Sequence, residues 1–381
     1  MTETDPPTTE QAAEPAGEGR QSGIIPDQGL RALTLAGEIA AAPAFESDQI
    51  QPASLDLRLG AVAYRIRASF LPGPGVTVEE RLAEFTMHRM DLTEGAVLET
   101  GCVYLVPLCE RLKLSARISG IANPKSSTGR LDVFTRLITD GTGAFDRVEA
   151  GYRGPLYAEI SPRTFSILVR TGSRLNQLRL RRGNPRFGDA NLRRLHEVEG
   201  LVDGDALIDQ GLYLSVDLAG AAGASGVVGY RAKRHAGLID VDRKEAYDPS
   251  HFWDPVRPDA GQGLILDPDE FYILASRESV HIPPDHAAEM VPFDPLMGEF
   301  RVHYAGFFDP GFGNQGAGGS GSRAVLEVRS REVPFVLDHG QVVGRLLYEP
   351  MVAKPDRLYG TDIGSHYQRQ GLKLSKHFRA E

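Results

Sequence analysis

Apolar positions in this chain fall in short runs, β-branched or aromatic in character and bounded by Gly, Pro, Asp or Asn. That is the pattern of strands and turns rather than of helices. Val103–Leu108, Phe271–Ala275, Leu175–Leu180 and Val342–Leu347 each read as a strand. Only Gln28–Ala42 carries a convincing helical pattern. The expected class is mainly β with few short helices: two sandwich- or barrel-like domains joined near residues 185–205.

The pattern also repeats. Ser54-Leu55-Asp56-Leu57 leads to Tyr64-Arg65, and Ser215-Val216-Asp217-Leu218 leads to Tyr230-Arg231. Each copy then reaches a glutamate flanked by apolar residues, in Leu156-Tyr157-Ala158-Glu159 and Ala324-Val325-Leu326-Glu327. Thirteen positions beyond each glutamate stands a turn glycine, Gly172 after Glu159 and Gly340 after Glu327. Such internal similarity predicts two copies of one supersecondary plan, over residues 23–190 and 205–381.

Composition narrows the class. The chain has 381 residues, 41% hydrophobic and 24% charged, enough for two domains with their own cores. Its net charge of −9 argues against a surface for duplex nucleic acid. The one basic cluster, Arg179–Arg186, reads as a solvated connector. Cys102 and Cys109 cannot build a disulfide framework. Residues 1–22 are rich in Glu, Pro, Thr and Ala, with neither an apolar core nor a basic start, and read as a disordered tail. No apolar run approaches the ~20 residues of a membrane span, and the expected location is cytoplasmic.

The candidate chemistry lies in Lys125-Ser126-Ser127-Thr128-Gly129-Arg130, which gathers a cation, hydroxyls, a glycine and a guanidinium into one turn. Such a turn can meet a polyphosphate, although the same residues in isolation would more often make a solvated turn. The copy lacks it: Pro292-Phe293-Asp294-Pro295-Leu296-Met297-Gly298 carries neither serine nor arginine. Conversely, Asp309-Pro310-Gly311-Phe312 of the second copy stands as Glu149-Ala150-Gly151-Tyr152 in the first. The glycine-rich stretch Gly311–Ser322 lacks the strand–helix setting of a phosphate loop and reads as a hairpin tip.

These segments resemble the dCTP deaminase family, which shares its fold with trimeric dUTPases. Gln51–Gly60 resembles the family's opening strand, and Lys125–Arg130 its phosphate and catalytic loop. His303–Phe312 resembles the sugar-and-base turn, and Val325-Leu326-Glu327 the strand of the catalytic glutamate. Tyr359, His366-Tyr367, Gln370-Gly371 and Ser375 resemble the arm that covers the nucleotide. An arginine four residues after the first serine, and a glutamate inside the strand, favour deaminase over dUTPase. The resemblance implies two tandem dUTPase-like distorted jelly-roll or β-barrel domains.

In the family, the Ser/Arg loop and the glutamate come from different subunits. The resemblance therefore implies a composite site: Lys125, Ser126, Ser127 and Arg130 from the first copy, and Asp309, Val325, Leu326, Glu327, Tyr359 and Gln370 from the second. The family's arm lysine falls at His366, which weakens one phosphate contact at neutral pH. Glu327 would be general acid and base, with Arg130 and Ser126 beside it; Glu159 is the rival base, because it shares its copy with the loop. Implied also are dCTP as substrate, dTTP as a feedback inhibitor, Mg²⁺ carried on the triphosphate, and a homo-oligomer, dimer or trimer. Zinc deaminases need His-x-Glu and Pro-Cys-x-x-Cys. Here His196 and Glu197 adjoin and the cysteines stand seven apart, so the expected chemistry uses no zinc. Two alternatives stay open: a deaminase that also hydrolyses dUTP to dUMP, and a nucleotide-binding regulator without catalysis.

Overall fold

The computed structural model describes residues 22–185, 187–220, 226–258, 263–292, 300–302, 306–315, 321–330, 332–360, 363–364 and 371–380. The disordered tail expected over residues 1–22 lies outside them, Ser22 excepted.

Strands dominate. In the first half, Val103–Lys113 sits between Val62–Ile66 and Arg153–Pro162, and Val133–Thr139 pairs with the far side of Arg153–Pro162. Arg174–Arg182 lies between Leu55–Arg58 and Ile118–Pro124 in a second sheet. The second half follows the same order: Gly229–Ala232, Phe271–Val280, Ser322–Ser330 and Phe300–Val302 form one sheet. Leu212–Ser215, Val342–Pro350 and His286–Pro292 form the other. Both glutamate strands are thus interior strands with neighbours on each side, and around each glutamate their side chains are buried on both faces. Gly172 and Gly340 hold φ of 90° and 78°, the left-handed backbone that the repeated glycine provides.

Helix departs from expectation. The first helix is Asp27–Leu35, and Ile39–Ala41 has become a strand paired with Val103–Lys113. Two helices stand where none was expected, Val78–Phe85 and Asp189–Glu199, although Val78, Leu82 and Phe85 recur at helical spacing. Val78–Phe85 starts at a capping box, where Thr77 and Glu80 satisfy each other's backbone N–H groups. Asp189–Glu199 forms the connector between the halves, with Gly200 closing it in the left-handed region.

The halves do not merely adjoin. Ile167–Val169 takes Ile239–Asp240 of the second half as a parallel neighbour. The largest apolar cluster joins Leu57, Val106, Leu137 and Leu180 of the first half to Trp253, Phe271, Val325, Leu374 and Phe378 of the second. Phe165 packs edge-on against Phe252 and Trp253, with centroids 5.7 and 5.4 Å apart. Truncating a fully buried Trp costs about 3–5 kcal/mol, so this seam holds the two halves in one arrangement.

Candidate active site

A cleft of about 830 Å³ opens along the seam, and both halves line it. Ile118–Pro124 delivers the chain to Lys125, whose N–H donates to Leu175 O at 2.9 Å. One helical turn, Ser126–Gly129, follows, and Arg130 N donates to Ser126 O at 3.0 Å. This folding aims Lys125, Ser126, Ser127 and Arg130 into the cleft. Strand alternation then directs Val325 and Glu327 inward from Ser322–Ser330 and sends Leu326 to the opposite face, into the second half's core.

Glu327 is only 4% exposed, and its Oε1 stands 3.9 Å from Arg130 Nε. Burial pushes its carboxyl up to about 8, against the opposing pull of Arg130. A carboxyl there can hold and release a proton near neutral pH. Arg130 is itself oriented by donating from Nη1 to Lys373 O at 3.0 Å.

Beside this pair, Met290, Phe307, Phe308, Phe312 and Val325 form an apolar wall suited to a flat ring. Asp309 closes it. Arg179 reaches across from the first half and donates from Nη2 to Asp309 Oδ1 at 3.0 Å and from Nη1 to Ala288 O at 2.9 Å. Its guanidinium also lies 4.0 Å from the Phe307 ring centroid. Burial raises the Asp309 pKa, and Arg179 opposes that rise. The ring of Tyr359 leans on Phe312 at 5.7 Å.

The other end is cationic. Lys125, Arg174, Lys244, Arg357 and Lys376 line it, interleaved with Asp48, Asp56 and Asp242. Lys125 pairs with Asp56, Arg174 with Asp48 at 2.8 Å, and Asp242 accepts from Ser173 Oγ at 2.7 Å. Burial and the charges of Lys125 and Lys244 lower Lys376 to about 8. The segment bearing Lys376 is tied to the loop, because Ser375 Oγ donates to Ser127 O at 2.8 Å.

Most of the expected composite set therefore meets in one chain: Lys125, Ser126, Ser127, Arg130, Asp309, Val325, Glu327 and Tyr359. His366 and Gln370 lie outside the described residues. Glu159 does not reach the cleft. Arg136, its cross-strand neighbour, holds its Oε1 from Nη2 at 2.5 Å and from Nε at 3.1 Å, and stacks 3.5 Å from the Phe145 ring centroid. Up to Arg182 the basic cluster read as a solvated connector is a strand, and Arg186 lies outside the described residues. Arg179 is wholly buried and Arg181 faces Glu349 at 3.5 Å. The signal was available in the apolar residues alternating with those arginines, Leu178 and Leu180. Lys244 and Lys376 belong to no motif and carried no such signal.

Comparison with known proteins places the chain in a family. The family model for the dCTP deaminase N-terminal domain matches residues 21–184, and that for the C-terminal domain matches residues 188–378. A "dCTP deaminase, dUMP-forming" of Halobacterium salinarum is 32% identical over 125 residues, 32% of this chain and 60% of the relative. One of Beutenbergia cavernae with the same name is 28% identical over 151 residues, 38% of this chain and 74% of the relative. The chain thus spans about 60% of the length of the Halobacterium relative. The crystal structure of 2'-deoxycytidine 5'-triphosphate deaminase from Agrobacterium tumefaciens is similar throughout. It has 59% identity and a TM-score of 0.84, and the match covers 87% of this chain and 100% of that one. The two family models together match residues 21–184 and 188–378, and the chain belongs to the 2'-deoxycytidine 5'-triphosphate deaminase family.

Proposed function

We propose that the chain hydrolyses dCTP to dUTP and ammonia, with Glu327 as general base and then general acid. The observation that carries this reading is the buried Glu327 carboxyl, held near pH 8 and 3.9 Å from an arginine of the other half. Water adds its oxygen to C4 of the cytosine as Glu327 takes a proton from it. Of the two protons that water brings, one ends on N3 and one on the departing nitrogen. The C4–N4 bond then breaks and ammonia leaves. Arg130 and Ser126 orient the water and steady the charge that develops on oxygen. Ser127, Val325 and Leu326 complete the surround of the base, Leu326 through its backbone. Asp309, fixed by Arg179, accepts a hydrogen bond from the deoxyribose hydroxyl, and Tyr359 closes over the sugar.

The triphosphate fits the cationic end, on Lys125, Arg174, Lys244 and Lys376. The nearby carboxylates are engaged: Asp48 with Arg174, Asp56 with Lys125, Asp242 with Ser173. This donor set fits Mg²⁺ borne by the phosphate oxygens, which neutralises their charge, rather than a cage of protein oxygens. The shared pairing order supports a duplicated chain of jelly-roll domains, and each chain would carry a working site of its own. dTTP, ending in the same triphosphate, would compete for this cleft.

A second reading, in which dUTP proceeds to dUMP and diphosphate, is favoured by the dUMP-forming names of the Halobacterium and Beutenbergia relatives. Incubation of the pure protein with dCTP and Mg²⁺, with products resolved by ion-exchange chromatography, separates the readings. dUTP with stoichiometric ammonia supports the first, and dUMP with diphosphate the second. Tight dCTP binding without any product would leave a nucleotide-binding regulator and sink both.

A further inference from the structure

Two residues beyond Arg130 stands Asp132, and two beyond Glu327 stands Arg329, so each member of the proposed catalytic pair has a charged near neighbour. The two neighbours meet. Arg329 Nη2 donates to Asp132 Oδ2 across the seam, and both are buried, with 7% and 1% exposed. Thr164 Oγ1 donates to the same Asp132 oxygen at 2.6 Å and accepts from Arg329 Nη2 at 3.0 Å. Arg329 Nη1 donates to Asp269 O, and the guanidinium lies over the Phe271 ring at 5.9 Å.

Asp132 holds φ of 55°, in the left-handed region that few residues besides Gly, Asn and Asp adopt. Its backbone is fixed on both sides, by Asp132 N donating to Gly129 O at 2.9 Å and Arg163 N to Asp132 O at 2.9 Å. Arg329 alternates with Glu327 on one face of its strand, so a displacement of Arg329 carries Glu327 with it. A buried ion pair is weak evidence of net stabilisation. What it does supply is a fixed distance between the elements that carry its partners.

We propose that Asp132 and Arg329 are positioning residues, whose buried pair across the seam sets Arg130 at its working distance from Glu327. The inference rests on the reading of Arg130 and Glu327 as the reacting pair.

Asp132→Gly removes the carboxylate and relaxes the backbone. The expected result is a kcat lowered about 10- to 100-fold, since misplacement of about 1 Å can cost ~10²-fold. KM for dCTP should stay within about threefold. Because Arg130 is the charge that holds Glu327 down, its withdrawal should also move the rising limb of the pH–rate profile to higher pH. Asp132→Gly/Arg329→Leu removes both buried charges, and tests the same point if the single variant fails to fold. It should fold and show the same loss and the same shift. A double variant with lowered thermal stability but wild-type kcat and pH profile overturns the proposal and leaves a merely structural pair. Glu327→Gln is run alongside: if it retains turnover, the underlying reading and this inference fail together. If it is dead while the Asp132 variants are unaffected, this inference alone fails.

Discussion

Glu159 and Glu327 occupy matching places in matching strands, each thirteen residues before a turn glycine, and their neighbours make them chemically different. Glu159 faces Arg136 on the adjacent strand, 2.5 Å from Nη2, with the guanidinium sandwiched by Phe134 and Phe145. That carboxylate has a permanent local partner in its own sheet. Among the described residues, Glu327 instead meets a guanidinium from the other half, at 3.9 Å, beside an apolar wall. The motif is shared, and the comparison teaches that the guanidinium each glutamate meets sets the copies apart: Arg136 of the adjacent strand for Glu159, and Arg130 of the other half, inside the cleft, for Glu327.

The comparison can be broken most decisively by mutation. Glu327→Gln should lower kcat by about 10³–10⁴-fold, the upper part of the range for general acid–base catalysis, with dCTP binding by calorimetry changed less than about threefold. Glu159→Gln should leave kcat within about threefold and cost about 1–2 kcal/mol of stability, as Arg136 loses its ionic partner. The reverse ranking in steady-state assays would move the active site to the first half.

Next in size is the phosphate end. Lys376→Ala should raise KM for dCTP about tenfold with kcat little changed, and weaken its dependence on salt. An unaltered KM would remove Lys376 from the site.

The pH dependence is finer. The base must be deprotonated, so kcat/KM should rise as pH climbs toward about 8 and Glu327 loses its proton. Lys376 must stay protonated, so the same quantity should fall above about 8. A narrow bell results, and Lys376→Arg should abolish its falling limb, because a guanidinium stays charged. A profile flat from pH 6 to 10 would contradict both assignments.

Smallest is an effect on stability. The folded-state pKa of Glu327 lies above its unfolded value of about 4.5. Its contribution is fully present below pH 4.5 and is lost as pH rises through about 8. Glutamine has no such charge to bury. Glu327→Gln should therefore melt roughly 2–5 °C above the wild-type protein at pH 8.5, and the gap should close by pH 5.

Much of this was legible because short motifs survive as local structure. Lys125–Arg130 is a self-contained turn, and Glu327 announces itself as an acid among Val325, Leu326 and Val328. Much of what escaped depends on chain distant in sequence. Arg179 looks like a surface cation until the Phe307–Asp309 turn is laid upon it. Lys376 enters the cleft because its segment is tied to Ser127 through Ser375 and to Glu245 and Ala246 through backbone hydrogen bonds. The Asp27–Leu35 helix stops short of Ala42 because Gly37, at φ of 70°, turns the chain out of it, and Ile39–Ala41 then pairs with Val103–Lys113. The Asp189–Glu199 helix carries a short stripe, Leu192, Leu195 and Val198, of which only Leu192 is fully buried and Val198 is exposed.

The shared apolar seam has a consequence for synthesis. Leu57, Val106, Leu137 and Leu180 are finished only when Trp253, Leu374 and Phe378 arrive against them. A ribosome has long since released the Lys125–Arg130 loop by then, yet the surface that should support it is still unmade. An interrupted chain would therefore hold a nucleotide-shaped turn on an open core and be silent as a catalyst. Chemistry would switch on in a single late step, when the far residues dock.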